Sequence, residues 1–67
     1  MTDWTRKVAV RRRELGLRQL DLALLAGVSE RFVRELETGK ASVRLDKVEP
    51  VLDVLGLELR LLPRETP

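Results

Sequence analysis

The stretch RQLDLALLAGVSERFVREL, residues 18 to 36, contains an apolar helical run that stops and restarts within a few residues. The spacing predicts one helix from about Arg18 to Ala26 and a second helix that begins at Ser29. Gly27 can adopt the positive φ angle that a tight turn requires, and serine is a favourable N-cap. The break is therefore either a loop between two core helices or a turn that presents the second helix to a partner.

The two helices differ in what they turn toward solvent. The first is expected to pack its apolar side chains on the core, with Leu20 at the edge of the set Leu22, Ala23, Leu25 and Ala26. On the second, Val33 and Leu36 are expected to point inward, and a rotation of about 100° per residue then places a polar set outward: Arg31, Arg34, Glu35 and Thr38. Arginine can donate two hydrogen bonds to guanine in the major groove of DNA. The pattern fits a DNA-reading helix, and it also fits an ordinary amphipathic surface helix.

The composition excludes several classes of function. The 67 residues suit one domain and include no cysteine and no histidine, so thiolate metal sites and the commonest general base are absent. We therefore expect no enzyme activity, no metal and no cofactor. One tryptophan and one phenylalanine are too few for a protein that stacks single-stranded bases. No apolar run is as long as a membrane span and the N-terminus lacks a signal-peptide core, so we expect a cytoplasmic protein with no membrane partner.

The charge is distributed unevenly along the chain. Residues 1–47 contain 11 lysines and arginines against 7 acidic residues, whereas residues 48–67 contain 2 against 4. The basic part thus includes the broken helical run. A basic surface suggests an anionic partner, although a mild excess of this kind is also common on solvated surfaces.

Further helices are predicted on both sides of this run. A first helix is expected to end at Gly16, and a fourth helical run covers about 43–55. Pro50 lies inside that run and is expected to kink it or to split it into two short pieces. The fold class is therefore expected to be all-α, with four to five helices. We assign residues 1–56 to this helical domain.

The remaining segment, residues 57–67, changes its period. Leu57, Leu59 and Leu61 alternate with charged residues, which predicts a short C-terminal β-strand. A lone strand cannot satisfy its backbone hydrogen bonds, so these leucines are expected to pair with the same strand of a second copy and to form a homodimer. The alternative is an extended tail packed on its own helices.

The 18–36 stretch resembles the helix-turn-helix of the Cro/phage-repressor (XRE) class, whose domains have the lambda-repressor-like fold. The matching structural positions are Gln19, Ala23, Gly27, Val33 and Leu36. That class places its second motif helix in the major groove of double-stranded DNA and braces the first across the backbone. The resemblance also implies a structural ion pair between Arg12 and Glu37. It further relates the ETGK segment, 37–40, to a loop that contacts the DNA backbone.

The resemblance gives a set of expected DNA-binding residues. Arg31 and Arg34 are expected to contact bases, and Gln19 to contact a phosphate at the start of its helix. Lys40 and Arg44 are expected to contact phosphates without reading sequence. The full expected set is Gln19, Ser29, Glu30, Arg31, Arg34, Glu35, Lys40, Ser42 and Arg44.

A closer likeness covers about residues 8–61. The segments RRRELGLRQLDLALLAGVSERFVRELETGK (11–40) and VRLDKVEPVLDVLGLELRL (43–61) look like the HipB-like antitoxin regulators. The likeness implies a dimer on a pseudo-palindromic operator that autorepresses its toxin–antitoxin operon, with a HipA-like toxin kinase as a partner. The alternative is a protein-interaction antitoxin module whose main role is to bind and neutralise that kinase. The sequence departs from the class at Arg18, where a Ser or Thr cap is usual, and at Pro50.

Overall fold

Four helices form the regular structure of residues 3–39 and 42–64, the residues that the computed structural model describes. They are α1 (Asp3–Glu14), α2 (Gln19–Ala26), α3 (Glu30–Glu37) and α4 (Leu45–Leu55). The all-α prediction is confirmed for this part of the chain. No helix in it is long and apolar enough to cross a lipid bilayer.

The core receives side chains from all four helices. Helix α2 packs on α3 and α4, and α1 also packs on α3 and α4. The buried cluster consists of Val8, Leu22, Ala23, Val33, Leu36, Val48, Val51, Leu52 and Leu55. Helices α2 and α3 are only eight residues long. Isolated helices of this length are marginal in water, so packing on this core holds them in place.

The turn between α2 and α3 forms at the residues that the sequence indicates. Gly27 has a φ angle of +74°, and its backbone N–H donates to the carbonyl oxygen of Ala23. The Ser29 side chain accepts a hydrogen bond from the backbone N–H of Phe32 at 3.0 Å and so caps α3. The two short helices are thereby held at a fixed angle by local contacts.

Arg18 begins α2 without the usual Ser or Thr side chain. The Asp21 carboxylate accepts a hydrogen bond from the Arg18 backbone N–H at 2.8 Å and two more from its guanidinium group. The hydrogen bonds from the guanidinium group lower the pKa of Asp21 below its ordinary value, and the backbone hydrogen bond contributes a smaller part of this effect. Asp21 therefore satisfies one of the backbone donors that a helix leaves unpaired at its start.

Two expectations about the helices were wrong. Helix α4 continues through Pro50, so the split into two short pieces does not occur, and the alternative of a kink stays a prediction. Leu25 is 64% exposed and Leu20 is 42% exposed, so neither belongs to the inner face of α2. Helical geometry explains this, because the inward stripe runs through Leu22 and Ala23, and positions 20 and 25 lie on its two flanks.

The predicted C-terminal strand is absent from residues 57–64. Leu57 packs against the core, and its backbone N–H donates to the carbonyl oxygen of Leu52 at 2.9 Å. Leu59 and Leu61 are exposed, and Leu61 completely so. A strand requires a partner to satisfy its backbone, and the described part of this single chain contains no second strand.

Candidate nucleic-acid interface

Helix α3 is anchored on one side and open on the other. Val33 and Leu36 are completely buried. The side chains of Arg31 and Arg34 are 82% and 58% exposed. Ser29 at the N-cap is exposed as well. The helix therefore presents its two arginines to solvent, as the inward positions of Val33 and Leu36 predict.

Each of these arginines contacts a glutamate one helical turn away. The Nε atom of Arg31 lies 3.2 Å from a carboxylate oxygen of Glu35, and an Nη atom of Arg34 lies 3.8 Å from Glu30. Exposed pairs at this spacing contribute about 0.3–0.5 kcal/mol. A bidentate arginine–base contact contributes about 1–3 kcal/mol of discrimination, so a matching base can displace either glutamate.

A buried ionic network fixes the position of α3. Arg12 donates to both carboxylate oxygens of Glu37, at 2.7 and 3.0 Å, and also to the carbonyl oxygen of Leu17 at 2.9 Å. The two charged side chains are only 10% and 6% exposed. Hydrogen bonding to Glu37 raises the pKa of Arg12 above its ordinary value. The structure thus brings together α1 and the C-terminal end of α3 at the two residues that the resemblance indicates.

Gln19 belongs to the same network. Its side-chain amide donates to Glu37 at 3.0 Å, so one carboxylate receives hydrogen bonds from α1 and from the first residue of α2. The contact fixes the orientation of the Gln19 amide and leaves one further amide proton for an outside acceptor. The phosphate contact expected of Gln19 would therefore come from a side chain that is already held in place.

The remaining expected residues lie in the segment that joins α3 to α4. Ser42 is exposed. Arg44 is the N-cap of α4, and it donates two hydrogen bonds to Asp46, at 3.1 and 2.8 Å. These bonds lower the pKa of Asp46. Lys40 lies outside the described residues.

Reasoning from the sequence alone missed two features of this surface. It gave Glu30 and Glu35 as DNA contacts without predicting that each lies against an arginine of the same helix. It also gave Gln19 as a phosphate contact without predicting its hydrogen bond to Glu37. The first feature had a visible signal, because glutamate and arginine lie four residues apart in both pairs.

Comparison with known proteins agrees with this architecture. The family model described as Helix-turn-helix matches residues 8–62, which is most of the chain. The chain belongs to the helix-turn-helix family. The matched range covers all of α2, α3 and α4, so both motif helices and their turn fall within it.

A named relative also covers most of this helix-turn-helix protein. It is an uncharacterized HTH-type transcriptional regulator, y4mF, of Sinorhizobium fredii (strain NBRC 101917 / NGR234). The two are 44% identical over 55 residues, which is 82% of this chain and 72% of the relative. The closer likeness to HipB-like antitoxins stays a prediction from the sequence.

Proposed function

We propose that this helix-turn-helix protein is a sequence-specific regulator of transcription that binds double-stranded DNA. The observation that carries the proposal is the presentation of α3, which is fixed by two buried anchors and exposes Arg31 and Arg34. In this proposal α3 enters the major groove and the two arginines contact bases. The DNA backbone is contacted by a second set of residues, which fix the position of the protein along the duplex: Gln19, Ser29, Lys40, Ser42 and Arg44.

Selection of binding sites from random duplex DNA tests this function. The expected result is an enriched pseudo-palindrome whose half-sites lie about one helical turn apart. Affinity for that site is expected to fall steeply with salt and to exceed affinity for a scrambled duplex. If no sequence is enriched over repeated rounds, the protein does not recognise DNA by sequence and the proposal fails.

The dimer that a palindrome requires is proposed to form through the C-terminal segment. Leu61 is completely exposed, and Leu59 and Leu62 are exposed as well. Three exposed leucines within four residues form an unusual apolar surface, and a second copy of the same segment would cover it. In a strand that pairs across the two-fold axis, Leu59 and Leu61 would lie on one face and Leu62 on the other.

Light scattering tests the role of this segment. Deletion of residues 59–67 retains Leu57, which packs on the core, and is expected to give monomers. Leu61→Lys is expected to weaken the dimer, because it places a charge in the apolar contact. Leu24→Lys is the matched control, since Leu24 is a similarly exposed leucine on α2. Dimers of unchanged stability after the deletion would rule out this interface.

The proposed biological setting is autorepression of a toxin–antitoxin operon. Its basis is the likeness of residues 8–61 to HipB-like antitoxins. One structural observation favours a protein partner in addition to DNA. Three leucines of α2 are exposed although they belong to an apolar helix: Leu20, Leu24 and Leu25. Exposed apolar groups of this kind commonly mark protein contacts.

The second candidate function follows from that surface. The protein would then act mainly as an antitoxin that binds and neutralises a HipA-like kinase. Coexpression with a kinase encoded beside its gene is expected to yield a complex that Leu24→Lys weakens. A gene neighbourhood without such a kinase would contradict both antitoxin roles and leave DNA recognition unaffected.

A further inference from the structure

The outward charges of α3 cancel one another. Arg31 and Arg34 supply two positive charges, and Glu30 and Glu35 supply two negative charges. Glu37 does not enter this balance at the surface, because it is buried against Arg12. The helix that is proposed to enter the groove therefore brings no net positive charge to the phosphates.

The same four residues form two intrahelical pairs. Arg31 donates to Glu35, and Arg34 lies near Glu30. A glutamate that precedes its cation by four residues is in the more favourable orientation, as in the Glu30–Arg34 pair. The Arg31–Glu35 pair has the reverse order but is the closer of the two, at 3.2 Å against 3.8 Å, so sequence order and distance do not rank the pairs the same way. The arginine of each pair is mostly exposed to water and its glutamate is partly exposed, so neither pair is fixed by full burial.

The pairs affect specific and nonspecific DNA binding differently. Nonspecific binding depends on the number of phosphates that cations neutralise. An arginine held by a glutamate contributes little to that number, and the carboxylate is repelled by the phosphates. At a matching site the arginine can instead bond guanine, and the released carboxylate can accept a hydrogen bond from the N4 amino group of cytosine.

We propose that Glu35 and Glu30 determine specificity by suppressing nonspecific binding. On nonspecific DNA each glutamate stays paired with its arginine, so the arginine does not neutralise a phosphate. At a matching site the arginine and the carboxylate separate, and each bonds a base edge instead. The inference rests on the proposed DNA-binding function. This role differs from that of a DNA contact, because the glutamates lower the affinity for nonspecific DNA more than the affinity for the operator.

The test compares wild type with Glu35→Gln on two duplexes. One is the operator found by selection, and the other is a scrambled duplex of the same composition. The variant keeps the size of the side chain and removes one negative charge. On the scrambled duplex its affinity is expected to rise about 5–10-fold near 0.1 M salt, with a salt slope steeper by about 0.9, as for one more neutralised phosphate. Operator affinity is expected to rise less or to fall, so the ratio of the two affinities falls several-fold.

Glu49→Gln is the control for net charge. Glu49 is exposed on α4, and its substitution changes the formal charge by the same amount. It is expected to leave the affinity ratio unchanged. Glu30→Gln is a second variant on α3 and is expected to lower the ratio in the same direction as Glu35→Gln. Circular dichroism of each variant checks that the helices are retained.

The outcomes separate this inference from the function on which it rests. If Glu35→Gln raised the affinity for both duplexes by the same factor, Glu35 would act only through the net charge of the protein, and the inference would be overturned. Unchanged ratios in both the Glu35 and the Glu30 variants would overturn it too. A wild-type protein that does not distinguish the two duplexes would overturn the proposed function, and this inference with it.

Discussion

Glu37→Ala is expected to destabilise the domain by about 3–5 kcal/mol, because it leaves the buried Arg12 guanidinium group without its carboxylate. In the native chain that carboxylate accepts two hydrogen bonds from Arg12 and one from Gln19. Domains are typically stable by about 0.05–0.15 kcal/mol per residue, which gives roughly 3–10 kcal/mol for a chain of this length. The substitution would therefore remove much of the stability, and urea denaturation followed by circular dichroism measures the loss.

Two further variants show whether the loss comes from an unpaired buried charge. Glu14→Ala is the matched control, since Glu14 pairs with Arg11 at 3.4 Å on the surface, and its effect is expected to stay within about 0.5 kcal/mol. Replacement of both Arg12 and Glu37 by methionine removes the charge together with its partner and is expected to recover at least half of the lost stability. If Glu37→Ala costs less than about 1 kcal/mol, the network does not hold α3 in place.

The ends of the helices could be predicted because their signals are local. A glycine at position 27 and a serine at position 29 determine the turn through their own backbone and side-chain preferences. The approach of Arg12 to Glu37 was available only through the resemblance to a known class. The two residues are 25 positions apart, and no short-range pattern connects them.

Whether α4 continues through Pro50 depends on the cost of the proline relative to the gain from side-chain burial, and the apolar spacing of the sequence does not give that balance. Pro50 lacks the N–H that would bond the carbonyl oxygen of Asp46, and a proline inside a helix costs about 3 kcal/mol. Against this, α4 buries four side chains: Val48, Val51, Leu52 and Leu55. Each buried aliphatic side chain contributes about 1.5–3 kcal/mol, so the sum outweighs the cost of the proline.

The exposure of α2 was mispredicted for a different reason. A run of leucines and alanines shows no polar face, so its apolar pattern does not say which side of the helix is buried. The neighbouring helices α3 and α4 decide this by covering one stripe. The outward arginines of α3 were predictable because that helix alternates strongly between apolar and charged positions.

Arg34→Ala and Arg31→Ala are each expected to weaken operator binding by about 1–3 kcal/mol if the arginine contacts a base. Loss of the arginine also removes the positive charge that offsets its glutamate partner, so the carboxylate is repelled more strongly by the phosphates and adds to the cost. The characteristic result is a relaxed preference at one base position, because the contact that distinguished that base is gone. Gel-shift titrations against the operator and its single-base variants measure both effects.

Arg44→Ala provides the contrast within the same protein. Arg44 is 70% exposed at the start of α4, and in the free chain its guanidinium group bonds Asp46. As a proposed phosphate contact, its removal should weaken all sequences alike, with base preferences unchanged. The salt slope should fall by less than about 1, because the pair with Asp46 already offsets part of the Arg44 charge. A base-contacting arginine and a phosphate-contacting arginine are thus distinguished by which DNA sequences lose affinity, and not by how much affinity is lost. If both α3 variants keep wild-type affinity and base preference at every salt concentration, α3 is not the helix that reads DNA.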